Sequence, residues 1–417
     1  MNRTYILKSK NRPVLKFDIM AGASEKDPNY YSIGNVIPYY ENLHLWPHGL
    51  PMFENGEEWN YLFCKWLQKR RAVYERPNVG CLLECSTDVF SPYNFLEINL
   101  GMSFRDTYWI MPVGENYRWH DWSPYRNKLD EEFSKLAISV SPYRHKKPEH
   151  KLRITCEPTT AGTMRKCWIN NEDGIYLRKG FWHQVADNRV PPVWEFYAAQ
   201  VAQALDVAHV PHCLIFYRND DGRTETLCEC KCFTSEKIGY VPAIAKLDDF
   251  FIKETGDRWD RKNKGDLYKA DVHKKLFAEI FGADFYSDMM LLDSIILHQN
   301  RHLGNWGYLT DNDSGEYIGP APLTAHGYSM PVTVRDLDLL WDMVHDPNWD
   351  GAGKFLSFNA MAAFVQERHI PALERMKDFD FVQPEDPALG IRQDALDIIA
   401  EIVRLRCRKA LEIAKNR

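Results

Sequence analysis

Long hydrophobic runs are missing from this sequence of 417 residues. No window approaches about 18 consecutive apolar residues, the length that marks a candidate membrane-spanning helix, so we expect neither a membrane span nor a membrane partner. The first ten residues are mainly polar and basic, and Ile6 with Leu7 is too short an apolar stretch for a secretory signal. The ten cysteines lack the spacing of a small secreted disulfide scaffold. We therefore expect free thiols and a cytoplasmic protein.

An excess of positive charge is also missing. Lysine and arginine number 52 against 58 aspartates and glutamates, which gives a formal net charge of -6. Binding to nucleic acid through bulk electrostatics needs the opposite sign, so we expect no direct nucleic-acid partner. A basic run at residues 144–147 is interpreted as a solvated inter-domain loop. The sequence shows no internal repeat or low-complexity tract.

Residues that build hydrophobic cores are plentiful, with 13 Trp, 21 Tyr and 21 Phe. The chain is long enough for two or three domains. Residues 1–125 are predicted to form a small mixed domain, in which a helix over residues 57–72 places Trp59, Phe63 and Trp66 on one face. Residues 126–150 are charged and contain proline, which is typical of a linker.

The remainder predicts two lobes. Residues 151–240 should form a β-rich lobe and residues 241–417 a helical lobe, with a nucleotide between them. The predicted elements are a hairpin at 166–169 and 174–179, a helix at 192–205, strands at 212–217 and 226–233, a core helix at 284–297, and a C-terminal helix at 392–415. The predicted fold class is therefore α+β, with the two lobes preceded by the mixed domain.

Two segments carry the chemistry. Residues 300–305 (Asn-Arg-His-Leu-Gly-Asn) and 321–327 (Ala-Pro-Leu-Thr-Ala-His-Gly) have the outline of a phosphotransferase catalytic loop and of the metal-binding turn after it. Such a loop needs an acid that orients the attacking hydroxyl, an amide five residues on for a metal, and a second acid for the main metal. Asn305 supplies the amide, but Asn300 and Ala325 occupy the two acid positions.

A lysine and a glutamate upstream fit the same chemistry. Lys179 ends a predicted strand and Glu195 begins the next helix, the order in which phosphoryl-transfer sites place a phosphate-binding lysine and its supporting acid. Residues 157–163, which contain Gly162, form either a phosphate-covering loop or an ordinary turn. In the first case their small residues would let backbone amides approach phosphate oxygens.

The motifs at 103–110, 166–168, 176–180, 300–305 and 321–322 resemble those of the HipA-like family of bacterial serine/threonine kinases. The resemblance extends over nearly the whole chain. It implies an atypical protein-kinase fold that binds ATP and magnesium between two lobes. It also implies that Lys179 contacts the phosphates, with support from Glu195.

The resemblance implies further roles in the site. Thr159 and Thr160 lie where the family's mobile loop carries an autophosphorylated hydroxyl. Residues 228–233 would lead into the hinge that meets the adenine. His302 would brace the catalytic loop from within, and Asn305 would bind a metal.

Two departures from the family pattern decide the functional hypothesis. The family has Asp at the position of Asn300, and usually Asp at that of Ala325. An amide cannot accept the hydroxyl proton, and loss of a general base costs about 10²–10⁴ in rate. Loss of the metal carboxylate impairs the magnesium site. No neighbour offers a ready replacement, because His326 is a poor ligand for a hard cation. The nearby acids, interpreted as solvent-facing or turn residues, are Asp311, Asp313, Asp336 and Asp338.

The leading hypothesis is therefore a pseudokinase that holds ATP and acts through a protein partner. The first alternative is an active but divergent phosphotransferase with a protein substrate and rearranged ligands. The second alternative is an interaction module without a nucleotide site.

Overall fold

The fold is described from a computed structural model. The structure describes residues 3–21, 31–88, 91–140, 149, 151–181, 190–219, 222–255, 277–330, 341 and 357–416. Within these residues, no helix is both long enough and apolar enough to cross a membrane.

The N-terminal part is built on an antiparallel sheet with strand order β3-β2-β1-β4. Its strands are β1 (Arg3–Ser9), β2 (Arg12–Ala21), β3 (Tyr31–Pro38) and β4 (Tyr108–Pro112). Three helices lie between β3 and β4 in the chain: α1 (Glu57–Gln68), α2 (Val79–Leu83) and α3 (Phe95–Asn99). Burial alternates along β1, as expected for a strand with one face on a core. Trp59 and Phe63 of α1 are buried, as their spacing predicts.

Two short helices, α4 (Trp119–Trp122) and α5 (Glu131–Ile138), connect this part to a second sheet. Its antiparallel strands have the order β5-β6-β8-β7. They are β5 (Arg165–Asn171), β6 (Gly174–Gly180), β7 (Cys213–Arg218) and β8 (Thr224–Lys231), with α6 (Val190–Ala204) between β6 and β7. The predicted hairpin, helix and two further strands are thereby confirmed, each within a few residues of its expected bounds.

A third sheet joins the two lobes, in the order β11-β10-β9. Its strands are β9 (Ile238–Pro242), β10 (Gly307–Asp311) and β11 (Tyr317–Pro320). The helices of the second lobe are α7 (Ala243–Thr255), α8 (Ala283–Ile295), α9 (Phe358–Ala362), α10 (Ile370–Arg375) and α11 (Gln393–Lys415). Because α8 is buried on nearly all sides, it provides a rigid support for residues 300–305, which follow it.

Helix α1 ends at Gln68, short of the predicted residue 72. The amides of Arg70 and Arg71 bond to carbonyls three residues back, and the amide of Ala72 bonds to Pro158. Arg70 is thereby released to reach Asp106 with both terminal nitrogens, at 2.7 and 2.9 Å. A tertiary ion pair outweighs helical propensity here. The boundaries proposed for the domains, at residues 125, 150 and 240, stay predictions.

Candidate nucleotide site

A buried ion pair connects the second sheet to the helix that packs on it. Nζ of Lys179 on β6 lies 2.8 Å from Oε1 of Glu195 on α6, and the two side chains are 7% and 1% exposed. Burial disfavours the Lys179 ammonium, but the Glu195 carboxylate overcomes this and raises its pKa above the ordinary value. Burial likewise disfavours the carboxylate of Glu195, yet Lys179 holds its pKa well below the usual range. Both groups are therefore charged at neutral pH.

His212 is a third member of this cluster. Its Nδ1 lies 2.8 Å from the carbonyl of Val210, which makes Nδ1 the donor and leaves Nε2 as an acceptor. Nε2 lies 3.4 Å from Nζ of Lys179. Burial lowers the pKa of His212 to about 4, so the ring is neutral. The sequence gives no sign of this contact, since nothing in a linear pattern shows that His212 and Lys179 meet.

The loop at residues 157–163 holds the hydroxyls of Thr159 and Thr160 inward. Thr159 is buried, and its Oγ1 donates to the carbonyl oxygens of Met102 and Cys156. Oγ1 of Thr160 donates to the same Cys156 carbonyl at 2.6 Å and accepts from Nε1 of Trp168 at 2.8 Å. Both hydroxyls are therefore bonded within the protein, and neither is presented to the cleft in this conformation.

Gly162 of this loop lies close to the side chain of the buried Lys166. Gly162 has φ = +92°, and a Cβ on it would lie 2.6 Å from Nζ of Lys166, so glycine suits the position both conformationally and sterically. Nζ of Lys166 donates to the Ala161 carbonyl at 2.8 Å. Lys166 is also directly opposite Lys179 in the β5–β6 register, which places both side chains on one sheet face. Burial lowers the pKa of Lys166 to about 7.

Residues 300–305 form a compact loop that the side-chain amide of Asn305 closes onto the backbone of Asn300. Nδ2 of Asn305 donates to the backbone carbonyl of Asn300 at 2.5 Å. The side chain of His302 is exposed, and its Nδ1 accepts from the Gly304 amide at 3.1 Å. The expectation that His302 braces the loop from within is therefore wrong. The loop is held from inside by other residues.

Those residues are an aspartate on α8, an arginine of the loop and a histidine of the following turn. Nε and Nη2 of Arg301 each lie 2.9 Å from an oxygen of Asp293. Nη1 of Arg301 donates to the Thr324 carbonyl at 2.8 Å, and Nη2 lies 3.1 Å from Nδ1 of His326. The carboxylate of Asp293 thus holds the Arg301 side chain, which ties the loop to the turn at residues 321–327.

The second position at which an acid is expected lies in this turn. Ala325 has φ = +64°, a left-handed conformation in which Asp, Asn and Gly are enriched and Ala is strained. Its carbonyl accepts from His298, with Nε2 at 2.9 Å. The backbone at this position therefore suits Asp or Asn better than the Ala that occupies it.

Two of the acids considered as replacements, Asp311 and Asp313, are bonded to groups outside the loop. Asp311 accepts from the amides of Asp313 and Ser314, at 2.8 Å each, in the β10–β11 turn. Asp313 pairs with Lys10 and Arg12 of the N-terminal sheet. Residues 336 and 338 lie outside the described residues.

The residues present do not fit an ordinary kinase magnesium site. Asn305 offers a buried Oδ1 without a hydrogen-bond partner among the described residues, as a cation ligand would. Magnesium, however, is held by several oxygens, typically including carboxylates. Nowhere in the described ranges do three or more His, Cys, Asp or Glu side chains form a group that could hold a metal ion. Apart from the inner position expected of His302, the roles predicted for these site residues stay predictions.

Comparison of the sequence with protein-family models gives no match, and comparison with curated proteins gives none. The solved structures that are similar to the chain include a kinase and a toxin–antitoxin protein. The proinflammatory kinase CtkA of Helicobacter pylori is 18% identical, with a TM-score of 0.42, over 62% of this chain and 92% of CtkA. HipA of Shewanella oneidensis MR-1, a toxin–antitoxin protein solved with HipB and operator DNA, is 12% identical, with a TM-score of 0.50, over 99% of both chains.

The second structure corrects one expectation. The net charge led us to expect no direct nucleic-acid partner, yet the HipA structure contains operator DNA. That exclusion is wrong because net charge is a sum over the whole chain. It says nothing about a local patch or about a complex in which a second protein takes part. The basic run at residues 144–147 lies outside the described residues.

The likeness to HipA runs from end to end of both chains. It includes the N-terminal mixed part as well as the two lobes. The α+β, two-lobed architecture that the motifs implied is therefore confirmed. The chain has the kinase fold of HipA, extended over its whole length.

Proposed function

We propose that this protein is a HipA-like pseudokinase that binds ATP between its lobes, transfers phosphate slowly or not at all, and acts through a protein partner. One observation carries the proposal. The Lys179–Glu195 pair is intact and aligned with the turn after the catalytic loop, whereas Asn300 and Ala325 occupy the two acid positions of the reaction.

The intact pair supports nucleotide binding. A buried ion pair adds little net stability, because desolvation of the two charges offsets most of their attraction. A fold without a ligand would lose little by replacing it with apolar residues. Lys166, on the same sheet face as Lys179, adds a second amine beside the Gly162 loop. Two lysines at one place suit a polyphosphate, whose charge they would neutralise.

The missing acids support loss of transfer. Asn300 can donate and accept hydrogen bonds but cannot take up the proton of an attacking hydroxyl. Ala325 offers no side-chain oxygen to a metal that would neutralise the transferring group. The inward hydrogen bonds of Thr159 and Thr160 also withhold the hydroxyls that the family resemblance marks for autophosphorylation. Nucleotide binding without magnesium is the consequence we propose.

The likeness to HipA supports a role in a protein complex. That HipA was solved with HipB and operator DNA, so we propose a protein partner for this chain and an assembly that can include DNA. All ten cysteines are free thiols, in keeping with the reducing cytoplasm proposed as its location.

The test of nucleotide binding is isothermal titration calorimetry with ADP and with ATP, in EDTA and in magnesium. We expect saturable binding that EDTA leaves unchanged within about threefold, and loss of binding in Lys179→Met. The matched control is Lys377→Met, because Lys377 is an exposed lysine in the other lobe and its loss should leave the affinity unchanged. No binding under either condition would favour the interaction module without a nucleotide site.

The test of chemistry is the intact mass of the protein after incubation with Mg-ATP. We expect no adduct. A phosphate adduct that is absent from Lys179→Met would overturn the pseudokinase proposal in favour of the divergent phosphotransferase. The double variant Asn300→Asp, Ala325→Asp is the positive control for transfer, since it places both expected acids in the same fold.

A further inference from the structure

A second cavity lies where the N-terminal part meets both lobes. Its volume is about 140 Å³. Its wall comes from the N-terminal part, from β9 with the start of α7, and from β10 with its turn. Thr159 of the loop at residues 157–163 also lines it, whereas Lys179, Glu195, Asn300 and Asn305 do not. The cavity therefore adjoins the candidate nucleotide site but does not contain the Lys179–Glu195 pair.

Arg105 is the unusual member of this wall. Its backbone is fixed, because its carbonyl accepts from the Tyr240 amide at 2.6 Å and its amide donates to Oγ of Ser103 at 3.2 Å. Its side chain is half-buried and forms no hydrogen bond or ion pair with any residue that the structure describes. Burial lowers the pKa of its guanidinium. Asp106 and Tyr240 act on it electrostatically, but no counter-ion among the described residues bonds to it directly, and a partly desolvated cation in that position is costly.

The carboxylates of the same wall do not compensate Arg105. Asp106 accepts from Nη1 and Nη2 of Arg70, at 2.7 and 2.9 Å, and from the Tyr108 amide at 3.0 Å. Asp311 is bonded to amides of its own turn. Asp248 is buried and has a partner of its own. The guanidinium of Arg105 is thus the group at this wall that still needs an anion.

The rest of the wall suits the body of a small organic molecule. Trp66, Tyr108, Val241 and Ile244 supply apolar surface, and Ser103 supplies a hydroxyl beside Arg105. An apolar cavity of about 150 Å³ accommodates a benzene ring. A planar guanidinium pairs with a carboxylate or a phosphate through two parallel hydrogen bonds. We propose that this cavity binds a small organic anion, with its carboxylate or phosphate on Arg105 and its apolar part against the aromatic side chains.

Calorimetric titration of the full chain with three probes tests this site. Benzoate carries a carboxylate on a ring, phenyl phosphate carries a phosphate ester, and benzamide matches benzoate in shape without its charge. We expect benzoate or phenyl phosphate to bind and benzamide not to bind. The stronger of the two anions identifies the class of ligand. Arg105→Gln should weaken the better anion about tenfold or more, the value of a charged hydrogen-bonded pair. Lys377→Met, at an exposed lysine outside the cavity lining, should leave it unchanged.

Failure of both anions to bind the unmodified protein at millimolar concentration would overturn the site, as would equal affinity in Arg105→Gln. Stability without ligand gives an independent check. Because no counter-ion among the described residues bonds directly to Arg105, Arg105→Gln should melt no lower than the unmodified chain, whereas the neighbouring Arg70→Gln, which breaks the pair with Asp106, should melt lower. If Arg105→Gln does not fold, Arg105→Lys decides, because an unchanged affinity for the anion would contradict recognition by the guanidinium fork.

Discussion

The backbone amide of His326 donates a 2.7 Å hydrogen bond to Oε2 of Glu195, while Oε1 of the same carboxylate accepts from Lys179. One buried side chain thereby connects β6, α6 and the turn that follows the catalytic loop. Any rotation of α6 that moves Glu195 breaks both contacts together. Glu195 therefore holds these three segments together, although Asn300 and Ala325 occupy the positions where two acids are expected.

This carboxylate gives the first prediction. Lys179→Met leaves Glu195 buried without its cation, and Glu195→Gln leaves Lys179 without its anion, so each should lower the free energy of unfolding by about 3–5 kcal/mol. The double variant Lys179→Met, Glu195→Gln should cost less than the sum of the two, because it leaves no orphan charge. Urea unfolding followed by circular dichroism measures all three. Additive losses would show that the two groups do not interact as the geometry indicates.

Lys166 gives a prediction about pH. Its pKa is about 7 in the folded chain and ordinary, near 10.5, when unfolded, so the unfolded state binds more protons between these values. The free energy of unfolding must then rise with pH across that window, with a contribution of at most about 1.4 kcal/mol per pH unit. The charged groups that act on Lys166 are Arg76, Lys179, Glu195 and Arg105. Urea titrations at pH 7 to 9 should show this rise.

The control for that experiment is Lys166→Met, which keeps the length of the side chain and removes the amine. The rise of stability with pH should be smaller in this variant than in the unmodified chain. Equal slopes would mean that other groups cause the rise and that Lys166 keeps an ordinary pKa.

How much the sequence predicted depends on the kind of contact. Lys179 ends a strand and Glu195 lies at the start of the helix that follows, so a local sequence pattern was enough to predict that they meet. His212 and Lys166 acquire their places from packing between segments, and no spacing in the sequence shows which charge a buried side chain will meet.

The predictions that failed show the same limit. His302 was expected inside the loop from its position in the motif, yet the inner positions are taken by Arg301 and Asp293, because a guanidinium can bond at once to a carboxylate and to a carbonyl of the next turn. Exclusion of nucleic acid from net charge failed because a sum of charges contains no information about complexes. Patterns predicted the elements, and tertiary contacts determined the details of the site.

The Asp293–Arg301 pair gives the third prediction. Asp293 is 1% exposed and Arg301 6%, so Asp293→Asn should leave a buried guanidinium without its anion and lower the free energy of unfolding by about 3–5 kcal/mol. Because Arg301 also bonds to the Thr324 carbonyl, hydrogen exchange of residues 298–305 and 321–327 should accelerate together. Asp394→Asn is the control, since Asp394 pairs with Arg392 on the exposed start of α11. Faster exchange in the loop alone would contradict a shared anchor for loop and turn.

The left-handed conformation of Ala325 gives the last prediction. At φ = +64° the methyl group costs about 1–2 kcal/mol, which glycine avoids at an entropic cost of about 0.5–1 kcal/mol. Ala325→Gly should therefore leave the free energy of unfolding equal or raise it by up to about 1 kcal/mol, and the β-branched Ala325→Val should lower it clearly. Ala321→Gly, at a buried alanine of the same segment without a positive φ, should lower it. A loss in Ala325→Gly as large as that in Ala321→Gly would show that Ala325 is not strained. If the strain is present, Asp suits the position better than Ala does, and the double variant with Asn300→Asp will report on restored chemistry and not on a damaged fold.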